Sequence, residues 1–335
     1  MKLFGRTVFC LVALFAPVIS VAGTTEGPPE ILILMPDQMR GDCLSMLDHP
    51  VVKTPSLDRL AREGTLFRRA YTTTPSCIPA RHAMLTGLYP QSSGVVGFRK
   101  KPIPWPTLPE LLGEAGYTTA LVGREMHQLA SDSKLGYQMC LHGSTYTSDD
   151  EYARQIHEAF PQIDAFRQWV TEQGWTYNHW QAKPWPLSGE WHPTSWVVRN
   201  ARQWLKEISD DRPLCLTASF YAPHPPLFPP KDLFEKYLAA ELPAAAHGDW
   251  VDWESLTPEG ADGGQRVLLV GERLRRAQAG YYGLIEQIDR EVATLIAEFQ
   301  ARAEKAGRPW VIVFSSDHGE MLGDHGYFRK CEPLE

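Results

Sequence analysis

A chain of 335 residues, 43% hydrophobic and 22% charged, is long enough to bury a large core and has the balance of an ordinary globular protein. Its formal net charge of −7 argues against nucleic acid as the main partner and gives no long-range attraction for an anion, which must then be held by local positive charge. No short-period repeat or low-complexity run points to a solenoid.

Residues 1–22 begin with Lys2 and Arg6, continue as an apolar run broken by Pro17, and end on the small residues Ser20 and Ala22. This is the three-part pattern of a secretory signal peptide cleaved near Ala22, with a retained N-terminal anchor as the alternative. It makes the protein secreted or periplasmic. Beyond it lie Cys43, Cys77, Cys140, Cys215 and Cys331. With Cys77 set aside, the other four allow three pairings that the sequence does not separate, and Cys215, inside an apolar run, reads equally as a free buried thiol.

The first apolar run, 31–35, is a continuous strand covered on both faces, with Asp37 and Gln38 at its carboxyl end. Residues 56–63 read as a helix closed by Gly64. Another helix enters at Cys77, with Pro79 in its first turn and Arg81 one turn on, a setting that favours negative charge on or near the Cys77 side chain. The plain alternative is a buried cysteine at a helix start. A cysteine-phosphatase loop is excluded, because it places more residues between Cys and Arg than the three found here.

Thr107 to Glu110 has capping-box spacing for a helix that Gly116 closes. A strand over 118–122 leads to Gly123, Arg124 and His127. The pattern is irregular over 131–194, where six of the eleven tryptophans fall between Trp169 and Trp196. They read as core filler before a sugar-stacking platform. A helix over 196–208 precedes the strand 214–220, and Pro223 and His224 follow directly. Residues 241–265 form a surface excursion. The clearest helix, 272–304, carries the stripe Ile285, Ile288, Val292, Leu295, Ile296 and Phe299, and the last strand, 310–314, opens onto Asp317 and His318.

Helices alternating with short apolar strands specify an α/β fold, a mostly parallel sheet between helices, occupying 23–335 as one domain. Ligands in such folds bind outside the carboxyl ends of the strands. Asp37, His127, His224 and the Asp317-His318 pair all follow strands on that side. Singly each has a bland account as a turn, cap or surface residue. Their coincidence with Cys77 argues for one shared site.

Over 30–330 the order of features resembles the catalytic domain of the type I sulfatases of the alkaline-phosphatase superfamily. The matches are Met35-Pro36-Asp37-Gln38, Thr54-Pro55-Ser56-Leu57-Asp58-Arg59, Cys77-x-Pro79-x-Arg81 with Leu85-Thr86-Gly87, Pro223-His224-Pro225, and Asp317-His318-Gly319-Glu320 with Gly323-Asp324-His325-Gly326. The resemblance implies that a formylglycine-generating enzyme oxidises Cys77 to formylglycine. It implies one divalent metal on Asp37, Asp317, His318 and the modified Cys77, with Ca²⁺ first and Mn²⁺ or Mg²⁺ open. Gln38 stands where many sulfatases have a second Asp, as in the branch of choline sulfatases and phosphonate monoester hydrolases, and would bind through its carbonyl oxygen.

By the same resemblance a hydroxyl of hydrated formylglycine attacks sulfur while Arg81, Arg124 and Lys330 hold the sulfate oxygens. His224, with Lys330, acts as acid at the leaving group, and His127 takes the proton that restores the aldehyde. Gly123-Arg124-Glu125-Met126-His127 departs from the usual Gly-Lys-x-His by one residue and by Arg for Lys. Family members continue past Lys330 into an antiparallel C-terminal subdomain, so the chain reads as truncated at that end.

The implied substrate is a small-molecule or carbohydrate sulfate ester, with Arg99-Lys100-Lys101 either a solvated loop or a hold on a second anionic group. The rival readings are a phosphonate monoester or phosphodiester hydrolase on the same scaffold, and an inactive remnant. Oligomeric state is not legible.

Overall fold

The computed structural model describes residues 27–98, 102–125, 135–143, 149–163, 172, 174, 178–209, 211–257 and 266–332. Five strands form one sheet in the order β3-β2-β4-β1-β5, with every pair parallel. They are β1 (Glu30–Asp37), β2 (Thr118–Gly123), β3 (Met139–His142), β4 (Leu214–Pro223) and β5 (Trp310–Phe314). All five carboxyl ends therefore point the same way.

Alternation along the strands decides which face each helix meets. Leu32 and Leu34 of β1, Ala120 and Val122 of β2, and Leu214, Leu216, Ala218 and Phe220 of β4 belong to the main core. Against this core pack the helices α6 (Pro193–Glu207) and α8 (Gly271–Lys305), with α7 (Lys231–Leu238) lying along α8. The predicted stripe of α8 is buried throughout, and burying side chains of that size stabilises by roughly 1.5–3 kcal/mol each before entropy is counted. The opposite face of β4 carries Cys215, Thr217 and Ser219. There Arg81 of α2 (Cys77–Thr86) donates to Ser219 Oγ at 3.2 Å, so α2 lies across the sheet from α8.

Among the described residues the remaining helices are α1 (Pro55–Glu63), α3 (Pro90–Ser93), α4 (Leu108–Glu114) and α5 (Glu151–Ala159). At α4 both halves of the Thr107–Glu110 capping box form, and Gly116, at φ 91° just past the C-cap Ala115, closes the helix as expected, its N–H donating to the Gly113 carbonyl at 3.0 Å. The stretch expected to be irregular, 131–194, contains β3 and α5. Trp196 and Trp185 are buried, and Trp180 and Trp191 pack at the core's margin, so the described tryptophans of that stretch fill space. Of the excursion over 241–257, only Trp253–Ser255 is regular, a single 3₁₀ turn. No disulfide forms among the described cysteines Cys43, Cys77, Cys140, Cys215 and Cys331. Residues 1–22, His127 and Arg99 to Lys101 lie outside the described residues.

Candidate active site

β1 ends on Asp37, β4 ends on Pro223 just before His224, and β5 leads through two serines to Asp317 and His318. β2 ends on Gly123 at φ 107°, where an added Cβ would lie 2.0 Å from the Ser219 carbonyl oxygen. Only glycine lets the chain turn there, and the turn sends Arg124 into the same space. Above these ends α2 places Cys77 in its first turn, with Ser76 as an extended N-cap and Gly87 closing the helix in the left-handed region.

The thiol is enclosed. Cys77 Sγ lies 3.1 Å from His318 Nε2 and 3.0 Å from Lys330 Nζ, and it donates to Asp37 Oδ1 at 3.5 Å. Ligand atoms of Asp37, Cys77, Asp317 and His318 all fall within 4.8 Å of one another, and all four residues are buried. The His318 Nδ1–H donates to the Gly319 carbonyl at 2.9 Å, which turns Nε2 toward the cluster.

From α2, one turn beyond Cys77, Arg81 reaches the two carboxylates at the strand ends. Its Nε donates to Asp317 Oδ2 at 2.7 Å and its Nη2 to Asp37 Oδ2 at 3.0 Å, so its charge is taken by the two carboxylates. Lys330 instead brings its ammonium to the Cys77 sulfur. Arg124 joins Arg81, with Nε 2.8 Å from Asp37 Oδ2 and its guanidinium over the Tyr221 ring. Burial pushes the Asp37 carboxyl up, but Arg124 and Arg81 outweigh it and hold the group down at about 2. Asp317, likewise raised by burial, is carried far below the usual carboxylate range by His318 and Arg81. Burial lowers His318, yet Asp317 and the Cys77 sulfur lift it to about 10.

Lys330 is fixed at both ends. Its neighbours Arg329 and Cys331 adopt φ of 75° and 76°, an unusual conformation for residues other than glycine, and the Cys331 N–H donates to Pro75 just before α2. Besides Cys77, its ammonium reaches Gln38 Oε1 at 3.0 Å and His224 Nε2 at 2.7 Å. His224 Nδ1 lies 2.6 Å from the Pro225 carbonyl oxygen, which can only accept, so the ring proton sits there and Nε2 accepts from Lys330. Burial and the Lys330 charge hold the His224 imidazole well below its ordinary range, hence neutral.

The structure thus brings Asp37, Gln38, Cys77, Arg81, Arg124, His224, Asp317, His318 and Lys330 into one centre. It also supplies residues to which sequence reasoning gave no role. Tyr281 of α8 donates to the Gln38 carbonyl oxygen at 2.6 Å, and Glu320 accepts from the Gln38 side chain. Ser219 receives Arg81. The signal for Tyr281 is Gly280-Tyr281-Tyr282-Gly283, which interrupts the largely aliphatic apolar pattern of the helix. Glu320 lies within the Asp317–Glu320 match.

The carboxyl ends of a parallel sheet thus gather buried carboxylates, an imidazole and a thiol around a helix start. The sulfatase family model matches residues 29–334, and the chain belongs to that family. It is 33% identical over 322 residues to an arylsulfatase of Clostridium perfringens, covering 92% of this chain and 66% of the relative. A choline-sulfatase of Rhizobium meliloti is 29% identical over 335 residues, covering 93% of this chain and 61% of that protein. The phosphonate monoester hydrolase of Agrobacterium radiobacter has the same fold, with a TM-score of 0.73 at 24% identity over 91% of this chain and 65% of that structure. The chain therefore spans slightly less than two thirds of the length of these relatives.

Proposed function

We propose that the protein hydrolyses sulfate monoesters, with Cys77 converted to formylglycine and one divalent cation held by Asp37, Asp317, His318 and residue 77, with Gln38 as a further oxygen donor. The observation that carries the reading is the enclosure of Cys77 Sγ by His318, Lys330 and Asp37 at the mouth of α2. The donor set fits a cation. Asp37 and Asp317 are like charges buried side by side, each raising the cost of ionising the other, and a hard divalent ion between them would relieve that repulsion. When bound, the ion supplies the charge that makes a hydroxyl at position 77 nucleophilic near neutral pH, with Ca²⁺ the first choice and Mn²⁺ or Mg²⁺ the alternatives.

The chain's own residues divide the remaining work. Arg81 and Arg124 neutralise the two carboxylates, and Lys330 adds a further fixed cation. The centre can then hold a sulfate group on a protein whose net charge is −7. Lys330 carries the proton of its pair with His224. An ester oxygen leaving on that side is protonated by Lys330, with His224 as the neutral partner that keeps the ammonium aimed. His127 remains the proposed base for restoring the aldehyde. The substrate is an aryl or carbohydrate sulfate, and the formylglycine-generating enzyme is the maturation partner.

Gln38 beside Asp37, and His318 beside Asp317, favour a second reading as a phosphonate monoester or phosphodiester hydrolase. Comparing kcat/KM for an aryl sulfate and an aryl phosphonate monoester on matured protein tests the proposal. Preference for the sulfate supports it, preference for the phosphonate transfers the assignment, and inactivity toward both in protein shown to carry the aldehyde contradicts both.

A further inference from the structure

Gln38 is held unlike any other side chain in the centre. Its φ is 66°, its N–H donates to Asp317 Oδ1 at 3.0 Å, and its carbonyl accepts from Tyr281, so the backbone has no freedom to re-aim the side chain. The amide at the end of that side chain is bracketed by two groups of opposite character. On one side is Lys330, whose ammonium only donates, 3.0 Å from Gln38 Oε1. On the other is Glu320, whose Oε2 accepts from Gln38 Nε2. Glu320 Oε1 is already occupied by two backbone N–H groups, those of Leu322 at 2.8 Å and of Arg329. The carboxylate is fully buried and cannot swing away.

We propose that Glu320 is a positioning residue that sets the polarity of the Gln38 amide, so that the oxygen faces Lys330 and the cluster around Cys77. An amide has two ends of nearly equal shape, and packing alone does not choose between them. Here the choice is electrostatic. Turned by 180°, the amide would set its oxygen against a carboxylate and its NH₂ against an ammonium, losing both hydrogen bonds between buried groups. The same contact ties Lys330 to position: Glu320 receives the Arg329 N–H while its other oxygen orients the acceptor for the neighbouring Lys330 side chain. A protein using Gln in place of a second carboxylate near a cation needs such a device, because a carboxylate presents oxygen whichever way it turns.

The inference rests on the proposed reading of the centre as a cation site, and its test reads binding and stability without turnover. In Glu320→Gln the new amide keeps its oxygen on the two backbone N–H groups and presents NH₂ to Gln38, which then turns over. Calorimetric titration of the unmodified, cation-free protein with Ca²⁺ should show affinity reduced on the order of 10–100-fold. Gln38→Glu alone sets two carboxylates face to face and should lower the thermal midpoint of the cation-free protein. The exchange Gln38→Glu with Glu320→Gln restores one amide against one carboxylate. Its midpoint should exceed that of Gln38→Glu alone, although Glu320→Gln lowers the midpoint in the native background.

That reversal of sign is the outcome expected of a polarity device. Additive losses in the exchanged protein would overturn the proposal, as would undiminished Ca²⁺ affinity in Glu320→Gln. Should the native protein bind no divalent cation, the cation reading fails while the midpoints still decide the inference. Should both single variants fail to fold, a folded exchange variant supports it and an unfolded one overturns it.

Discussion

Helices α2 and α8 lie on opposite faces of the same sheet and are both buried, yet for different reasons. α8 is buried by an aliphatic stripe at helical spacing, from Ile285 to Phe299, that seals the sheet. The buried turns of α2 hold Cys77, Arg81 and His82 beside Ile78, Pro79 and Ala80, and its arginine is matched to Asp37 and Asp317 rather than to a hydrophobic surface. One helix is held by area removed from water and the other by specific charge pairs whose separation would strand ions in the interior. Substitution of the Cys77 thiol, which belongs to none of those pairs, should therefore silence chemistry in a folded protein, and substitutions in α8 should loosen a protein whose chemistry is intact.

The largest effect is expected at Cys77. Cys77→Ala should lower aryl sulfate turnover on the order of 10⁶-fold, with the thermal midpoint moving far less than in any α8 core variant, as paired kinetics and calorimetry would show. Next comes Lys330→Ala, for which a loss of kcat on the order of 10²–10⁴-fold is expected for esters of alkyl alcohols and a smaller loss for nitrophenyl esters, whose oxygen leaves without a proton. A flat loss across leaving groups would remove Lys330 from the acid role.

On the other side of the sheet, Ile288→Ala should cost about 2–5 kcal/mol in denaturant unfolding, while kcat/KM measured well below the midpoint stays native. Asp289 tests the link between the two kinds of packing. From α8 its carboxylate accepts the Leu57 N–H at 2.8 Å and the Ser56 N–H at 3.2 Å, capping α1. Asp289→Asn should cost about 0.5–1.5 kcal/mol by the same unfolding assay, and activity loss beyond that would tie α1 to the centre.

The same contrast explains what the sequence disclosed. Strands β1, β4 and β5 and helix α8 were legible because continuous apolar runs and a helical stripe are periodic signals. β3 was not, since Met139-Cys140-Leu141-His142 is four residues without a β-branched side chain. α5 and α7 were missed as short helices whose apolar faces involve few residues. In the site, the gathering of Asp37, His224, Asp317 and His318 at strand ends followed from the parallel order of the sheet. The destination of Arg81 did not. Helical spacing fixes the face a side chain leaves from, but Asp317 comes from a part of the chain far away in sequence, and only the folded sheet sets it opposite. Glu320 and Tyr281 were hidden for the same reason, acting through Gln38 rather than in the cluster itself.

The central claim is that Cys77 serves as the precursor of an aldehyde. Mass spectrometry of the tryptic peptide 70–81, from protein produced together with a formylglycine-generating enzyme, addresses it directly. The account predicts a peptide in which the thiol is replaced by an aldehyde that a hydrazine reagent captures. A peptide retaining an intact thiol, from cells shown to mature another sulfatase, would contradict it.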